Sequence, residues 1–282
     1  MAFSRALVPT DLSEYSLSLQ SCVDMYRLLG VQRVSLFHVQ EKASPSFTLL
    51  HHHMEIMAET FRGAGIAAGI FVEEKGDPTV AILKKAKEVL PDLIIMGSHG
   101  KGVMERLLLG SVSHKVVSHW PGSILIERLP FEERRSGGLE TVCQRRISRV
   151  ILASRAHRPQ SLGCGLLEKL AQGGLQRAHL FTTLELNDLV KMYVLDQIPH
   201  MREQALTTLK EAAEPLRGKG LDVELEVEVG PLVPSLSKAV AAIQAELAIV
   251  EMQSPEDPWQ DFVERLVVRL PCSVLVLRPA TD

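Results

Sequence analysis

The sequence is poor in aromatics, in cysteine and in any surplus of one charge. Cys22, Cys143, Cys164 and Cys272 never stand at CxxC spacing. That excludes a zinc ribbon or a thioredoxin-like pair, and four cysteines are too few for a disulfide scaffold of this size. Reduced thiols are the expectation. The net charge is −3, so no basic excess recruits nucleic acid or an anionic membrane. No apolar run reaches the ~18 residues of a membrane helix, and the first residues do not read as a signal peptide. A cytoplasmic protein is expected. The signatures GxSxG, HExxH, GxGxxG and GxxxxGK[ST] are all missing. No serine-hydrolase elbow, zincin helix, Rossmann fingerprint or P-loop is therefore predicted.

What is there is a core. With 282 residues, 46% of them hydrophobic, the chain has material for two domains. In the first half, short apolar runs at Ala6–Val8, Val34–Val39, Ile70–Glu73, Leu93–Met96 and Ser123–Glu127 read as strands. Between them, Glu14–Gly30, Phe47–Gly65, Pro78–Leu90 and Ser111–His119 carry apolar residues three and four apart. Leu17, Cys22, Met25 and Leu29 share a face of the first helix; Val80, Leu83, Ala86 and Leu90 share one of the third. Continuous apolar strands alternating with helices predict an α/β fold, a parallel sheet covered on both faces.

The second half repeats the first. "RVILASRAHRPQS" (149–161) answers "RALVPTDLSEYS" (5–16), and "RAHLFTTLEL" (177–186) answers "RVSLFHVQEK" (33–42). "LPCSVLVLRP" (270–279) answers "HWPGSILIERLP" (119–130). The predicted organisation is a domain at 1–130, a charged linker at 131–146 and a second domain at 147–282.

The stretch "GSHGKGVMERLLLGS" (97–111) follows a strand and opens a helix. In an open parallel sheet, ligands lie outside the carboxyl ends of the strands, where the strand order reverses. Gly97 and Gly100 leave no Cβ in a ligand's way. Ser111 suits an N-cap, and a helix N-terminus with free N–H groups favours an anion. Glycine, serine and helix start together predict a phosphate cradle.

The spacing Gly97-x2-Gly100-x9-Gly110-Ser111, with "LVPTDLSEYS" (7–16) and "WPGSILIER" (120–128), resembles the universal stress protein family, in its ATP-binding subgroup. The resemblance implies two tandem domains, each a five-stranded parallel sheet between helices. It also implies an adenine nucleotide at the strand ends of the first. Asp11, flanked by Pro9 and Thr10, would contact the nucleoside. Val39 would meet the adenine edge through its backbone, while Met96 and Gly97 line base and ribose. Gly100, Gly110, Ser111, Val112 and Ser113 would hold the phosphates. ATP is the implied ligand, with AMP or ADP as alternatives and Mg2+ accompanying it. The implied role is a stress-response sensor or regulator. A slow ATPase or phosphotransferase, and a protein- or small-ligand-binding module acting through the C-terminal half, are the alternatives. No catalytic constellation is evident. A homodimer and an unidentified protein partner are the expected associations.

The second half departs from the pattern. Arg155 falls where Asp11 would repeat, Glu251 replaces Gly97 and Ser254 replaces Gly100. Gln260 and Asp261 stand for Gly110 and Ser111, and Glu256 and Asp257 add carboxylates where phosphate would need neutral or positive groups. No ATP is expected there, and Arg155 is read as pairing with one of these acids. Among the remaining features, His51-His52-His53 reads as a polar helix start rather than a metal site. His99, His114, Lys101 and Arg106 lie near the glycine stretch and are candidates for a phosphate contact. His38 is read as buried or at a strand end. Asp77-Pro78 reads as an N-cap followed by a first-turn proline, and the resemblance puts Gly76-Asp77-Pro78 beside the nucleotide. Leu189, Met192, Tyr193 and Asp196 are read as one packed helical face.

Overall fold

The computed structural model describes residues 3–13, 16, 19–40, 47–98, 109–128, 147–155, 161–186, 193–252 and 258–279. The chain divides into two compact units, one built on 2–146 and one on 147–279. Gly100, His99, Lys101, Arg106, the linker at 131–146, Ser254, Glu256 and Asp257 lie outside the described residues.

In the N-terminal unit the strands are β1 (Arg5–Pro9), β2 (Arg33–Val39), β3 (Ala67–Glu73), β4 (Leu93–Gly97) and β5 (Ile124–Glu127). They run parallel in the order β3-β2-β1-β4-β5. The helices are α1 (Val23–Leu28), α2 (Phe47–Gly63), α3 (Pro78–Val89) and α4 (Ser111–His119). Leu7, Val34, Leu36, Leu93, Ile94, Ile95, Ile124 and Leu125 are fully buried, as a sheet covered on both faces requires. Each such side chain contributes about 1.5–3 kcal/mol on burial.

The C-terminal unit repeats this plan. Its strands are β6 (Arg149–Ala153), β7 (Arg177–Leu184), β8 (Asp222–Val229), β9 (Leu247–Glu251) and β10 (Ser273–Leu277). Their parallel order is β8-β7-β6-β9-β10. The helices are α5 (Leu162–Gln172), α6 (Ile198–Gly218), α7 (Leu232–Ile243) and α8 (Val263–Arg269). The repetition extends to detail. Asp92 takes hydrogen bonds from Ser4 Oγ and the Arg5 amide at the foot of β1, and Glu246 takes them from the Ser148 and Arg149 amides at the foot of β6. Leu90 and Gln244, the C-caps of α3 and α7, both adopt left-handed backbone.

Four local expectations change. A 3-10 turn, Leu19–Cys22, precedes α1, and the residues buried there are Leu19, Cys22, Tyr26 and Leu29, not Met25, while Leu17 lies outside the described residues. In α3 the buried residues are Thr79, Ala81, Ile82 and Ala86, whereas Val80 and Leu90 are 65% and 62% exposed. Spacings of three and four fit either of two adjoining faces that share Ala86, and the sequence reading chose the wrong one. Tyr193, 83% exposed, and Asp196 face away from the core and not into it, while Leu189 and Met192, the other members of the expected face, lie outside the described residues. Cys22 is disulfide-bonded, while Cys164 and Cys272 are free thiols. Spacing rules look for local pairs, and no other cysteine lies near Cys22 in the sequence.

Candidate functional site at the strand-order reversal

The order β3-β2-β1-β4-β5 reverses direction between β1 and β4, and in open parallel sheets the ligand crevice lies above such a pair. β1 delivers Pro9, Thr10 and Asp11 to its lip; β4 delivers Met96 and Gly97. Thr10 and Met96 are buried, and Asp11 and Gly97 are half-buried.

A lattice of short hydrogen bonds holds the loop after β1. The Asp11 carboxylate accepts from the Ser13 amide at 3.0 Å and the Ser13 hydroxyl at 2.6 Å. Thr10 Oγ1 accepts from the Leu12 amide at 3.1 Å and lies 2.9 Å from Ser16 Oγ. The Ser16 amide donates to Ser13 Oγ. Leu12 sits at φ 56°, left-handed backbone that costs an L-residue about 1–2 kcal/mol. The polar lattice maintains it, and with it the placement of Asp11.

Val39 ends β2 beside this loop. Phe37 O accepts from the Thr10 amide at 2.9 Å, so the Phe37 peptide groups face β1. Peptide direction alternates along a strand, so Val39 faces the same way. The next ladder bond would run from Val39 N–H to the Thr10 carbonyl. That carbonyl instead bonds Nδ1 of His38 at 2.8 Å. Likewise the Leu12 amide turns to Thr10 Oγ1 and not to Val39 O. Among the described residues, no hydrogen bond is made from Val39 N–H or C=O to the β1 side.

Across the crevice, two bonds fasten the start of α4 to the end of β4. The Gly110 amide donates to Ser98 O at 2.8 Å, and Ser113 Oγ donates to Gly97 O at 2.8 Å. The N-cap of α4 is Gly110, with no side-chain capping bond; Ser111, expected as the cap, is the first helical residue and is exposed. The physical reason is that Gly110 is held in extended backbone (φ −57°, ψ 144°) by its bond to Ser98. The first-turn amides of Ser111, Val112 and Ser113 therefore carry the helix's positive end without an internal acceptor. The Ser113 hydroxyl is committed to Gly97.

Asp77 caps α3 as expected, accepting from the Val80 amide at 3.0 Å, with Pro78 next. That amide, against the pull of desolvation, and the charge of Lys115 hold its carboxyl below the ordinary range. The histidine run lies in the body of α2, with His51 and His52 exposed. Glu55 is paired with Arg62 at 2.5 Å. Sequence reasoning missed Ser13, Ser16, Ser98 and the bond made by His38. An Asp-x-Ser step after a strand was the one available signal, for an Asx turn.

The C-terminal unit is built differently at the same place. Glu251, 6% exposed, sends its carboxylate to the N-terminus of α5, accepting from the Leu162 amide at 2.8 Å. Burial raises the pKa of Glu251 despite hydrogen bonds from Ser161 and the Leu162 and Gly163 amides. Ser161 caps the same helix through the Cys164 amide, and burial pushes the Cys164 thiol up. A Cβ on Gly163 would meet Leu152 Cδ1 at 2.4 Å and Glu251 Oε2 at 2.9 Å. Where α4 begins at Ser111, the counterpart is a 3-10 turn, Pro258–Phe262, and α8 starts only at Val263. Val263 occupies the place of Ser113 and has no hydroxyl to fasten the helix, and the Trp259 side chain is buried in the turn.

Residues 2–128 match the family model described as the universal stress protein family. A Staphylococcus haemolyticus relative bearing the universal stress protein name is 28% identical over 128 residues, 45% of this chain and 75% of that one. The crystal structure of a universal stress protein from Archaeoglobus fulgidus aligns over 99% of this chain and 97% of its own, at 18% identity and a TM-score of 0.62. A universal stress protein from Archaeoglobus fulgidus in complex with dAMP overlaps 45% of this chain and 98% of its own, at 18% identity and a TM-score of 0.35. Both halves of the chain thus share one fold. The N-terminal unit, at residues 2–128, belongs to the universal stress protein family.

Proposed function

We propose that the N-terminal unit binds ATP at the crevice between β1 and β4, and that the chain acts as a cytoplasmic stress-response sensor or regulator. The observation that carries this is the open start of α4. Three first-turn amides point from a helix that lacks a side-chain cap and is fastened to β4 through Gly97 and Ser98. A triphosphate tail supplies the acceptors such a helix end lacks. Asp11 accepts from ribose hydroxyls, and Val39 offers one peptide donor and one acceptor to the base. Gly100 completes the glycine spacing on the phosphate side. Mg2+ would accompany the nucleotide through its phosphate oxygens.

The C-terminal unit takes no nucleotide in this reading. Glu251, Trp259 and Val263 stand where the cradle would need glycine, space and a hydroxyl. One chain then binds one ATP, and a second copy of the chain or another protein reads the occupied state.

Gly110→Glu tests the assignment. Its carboxylate would sit at the helix start intended for phosphate. Equilibrium dialysis should show ATP binding lost while circular dichroism is unchanged. Undiminished affinity in the folded variant would remove the phosphate site from the reading.

A further inference from the structure

His38 is 4% exposed and lies one residue before the end of β2, where a buried imidazole needs a reason. Its Nδ1 lies 2.8 Å from Thr10 O. A carbonyl only accepts, so Nδ1 carries the proton. We propose that His38 is a positioning residue: by taking the Thr10 carbonyl, it keeps the Val39 peptide open for the base edge of an adenine nucleotide. The proposal rests on the ATP-binding reading above and names what gives that site its base preference.

The ladder explains why an imidazole is needed. β1 and β2 pair from Arg5–Arg33 to Pro9–Phe37, and Phe37 O carries the pairing one residue further, to the Thr10 amide. The next step would join Val39 N–H to Thr10 O and close the crevice with backbone. His38 supplies that carbonyl with a side-chain donor instead. Thr10 then has both peptide groups satisfied from β2, its amide by Phe37 and its carbonyl by His38, without using Val39. The Leu12 amide is diverted in the same sense, to Thr10 Oγ1, as the chain turns away through left-handed backbone. Both Val39 peptide groups are left facing the crevice.

The C-terminal unit is an internal control. The Ser154 amide bonds Phe181 O at 3.1 Å, repeating the Thr10–Phe37 bond. The position of His38 is Thr182, which carries no ring nitrogen. The half without a glycine cradle also lacks the imidazole. Chemically, one residue's N–H and C=O complement an edge that offers an acceptor beside a donor. Adenine presents that pair; guanine presents it reversed.

Two variants of the full chain separate this role from plain stability. His38→Asn keeps an N–H two bonds from Cβ, at the place of Nδ1. His38→Leu fills the space and offers no donor. Calorimetry with ATP, with GTP and with inorganic tripolyphosphate should show ATP weakened about tenfold in His38→Leu, the scale of one hydrogen bond. In His38→Asn it should stay within about threefold, with tripolyphosphate unchanged in both. An equal fall for ATP and tripolyphosphate in His38→Leu, or no fall for ATP, overturns the proposal. Hydrogen exchange without nucleotide is the second measurement. In His38→Leu the Val39 amide should re-pair with Thr10 O and exchange about tenfold more slowly than in the wild type. Equal rates overturn the proposal whatever the nucleotide does. Wild-type protein that binds no ATP sinks the nucleotide reading and the adenine role with it. The amide rate still decides whether His38 holds Val39 open.

Discussion

The hydroxyl of Ser113 donates to the carbonyl of Gly97 at 2.8 Å, across 16 residues of sequence. With the Gly110–Ser98 bond it closes the neck of the glycine loop and fixes the direction of α4. Ser113→Ala leaves the Gly97 carbonyl without that donor. It should destabilise the protein by about 1 kcal/mol, read as a lower urea midpoint, and should also weaken ATP binding. Ser113→Val, which copies Val263 of the second unit, should do no better.

A buried carboxylate, Glu251, and a half-buried one, Asp92, should bend the pH–stability curve in opposite directions. Burial raises Glu251 above its ordinary 4.5, so the folded protein holds that proton more tightly than the unfolded chain. Its contribution is complete below 4.5 and is lost as pH rises through the raised folded value. Glu251→Gln should flatten this fall in urea titrations carried upward from pH 4.5. At Asp92 burial pushes the pKa up, but the Ser4 hydroxyl, the Arg5 amide and the Arg5 charge bring it below 3.8. That stability is present above 3.8 and is lost as pH falls through the lowered value. Asp92→Asn should therefore weaken the protein at neutral pH and flatten its acid limb.

Gly163→Ala tests the packing of α5 on β6. The new methyl would overlap Leu152, which is itself buried, and press on Glu251. A loss of about 1–3 kcal/mol is expected, seen as a lower melting temperature. Gly165→Ala, on the same helix with open space around its Cβ, is the matched control and should not destabilise.

Leu90→Gly should stabilise. Leu90 is 62% exposed and holds φ 47° at the C-cap of α3, where glycine carries no Cβ penalty. A gain of about 0.5–1 kcal/mol is expected in chemical denaturation.

The central strands were legible because they are short β-branched or leucine-rich runs, and the internal repeat carries the same plan into the second half. Of the glycine stretch, the end of a strand at Gly97 and a helix start at Gly110-Ser111 were legible, because glycine before an apolar-periodic run marks such a boundary. What could not be read depended on partners distant in sequence. Nothing near His38 says that its ring meets Thr10, because that follows from which strand lies beside which. The burial of Ile82 rather than Leu83 depends on helix phase, which a three-and-four spacing leaves open. The Cys22 disulfide is invisible to spacing for the same reason. Ser113 was recognised as a hydroxyl near the cradle, but its acceptor, the Gly97 carbonyl, needed the fold.

Glu251 is tethered to the helix end it caps, and a tethered group acts at an effective concentration set by the chain and not by the medium. Washing, starvation or a surge of metabolites leaves it seated. The second half of the chain thus carries its own occupant at that helix end. On the proposed reading, a response to nucleotide begins in the first half.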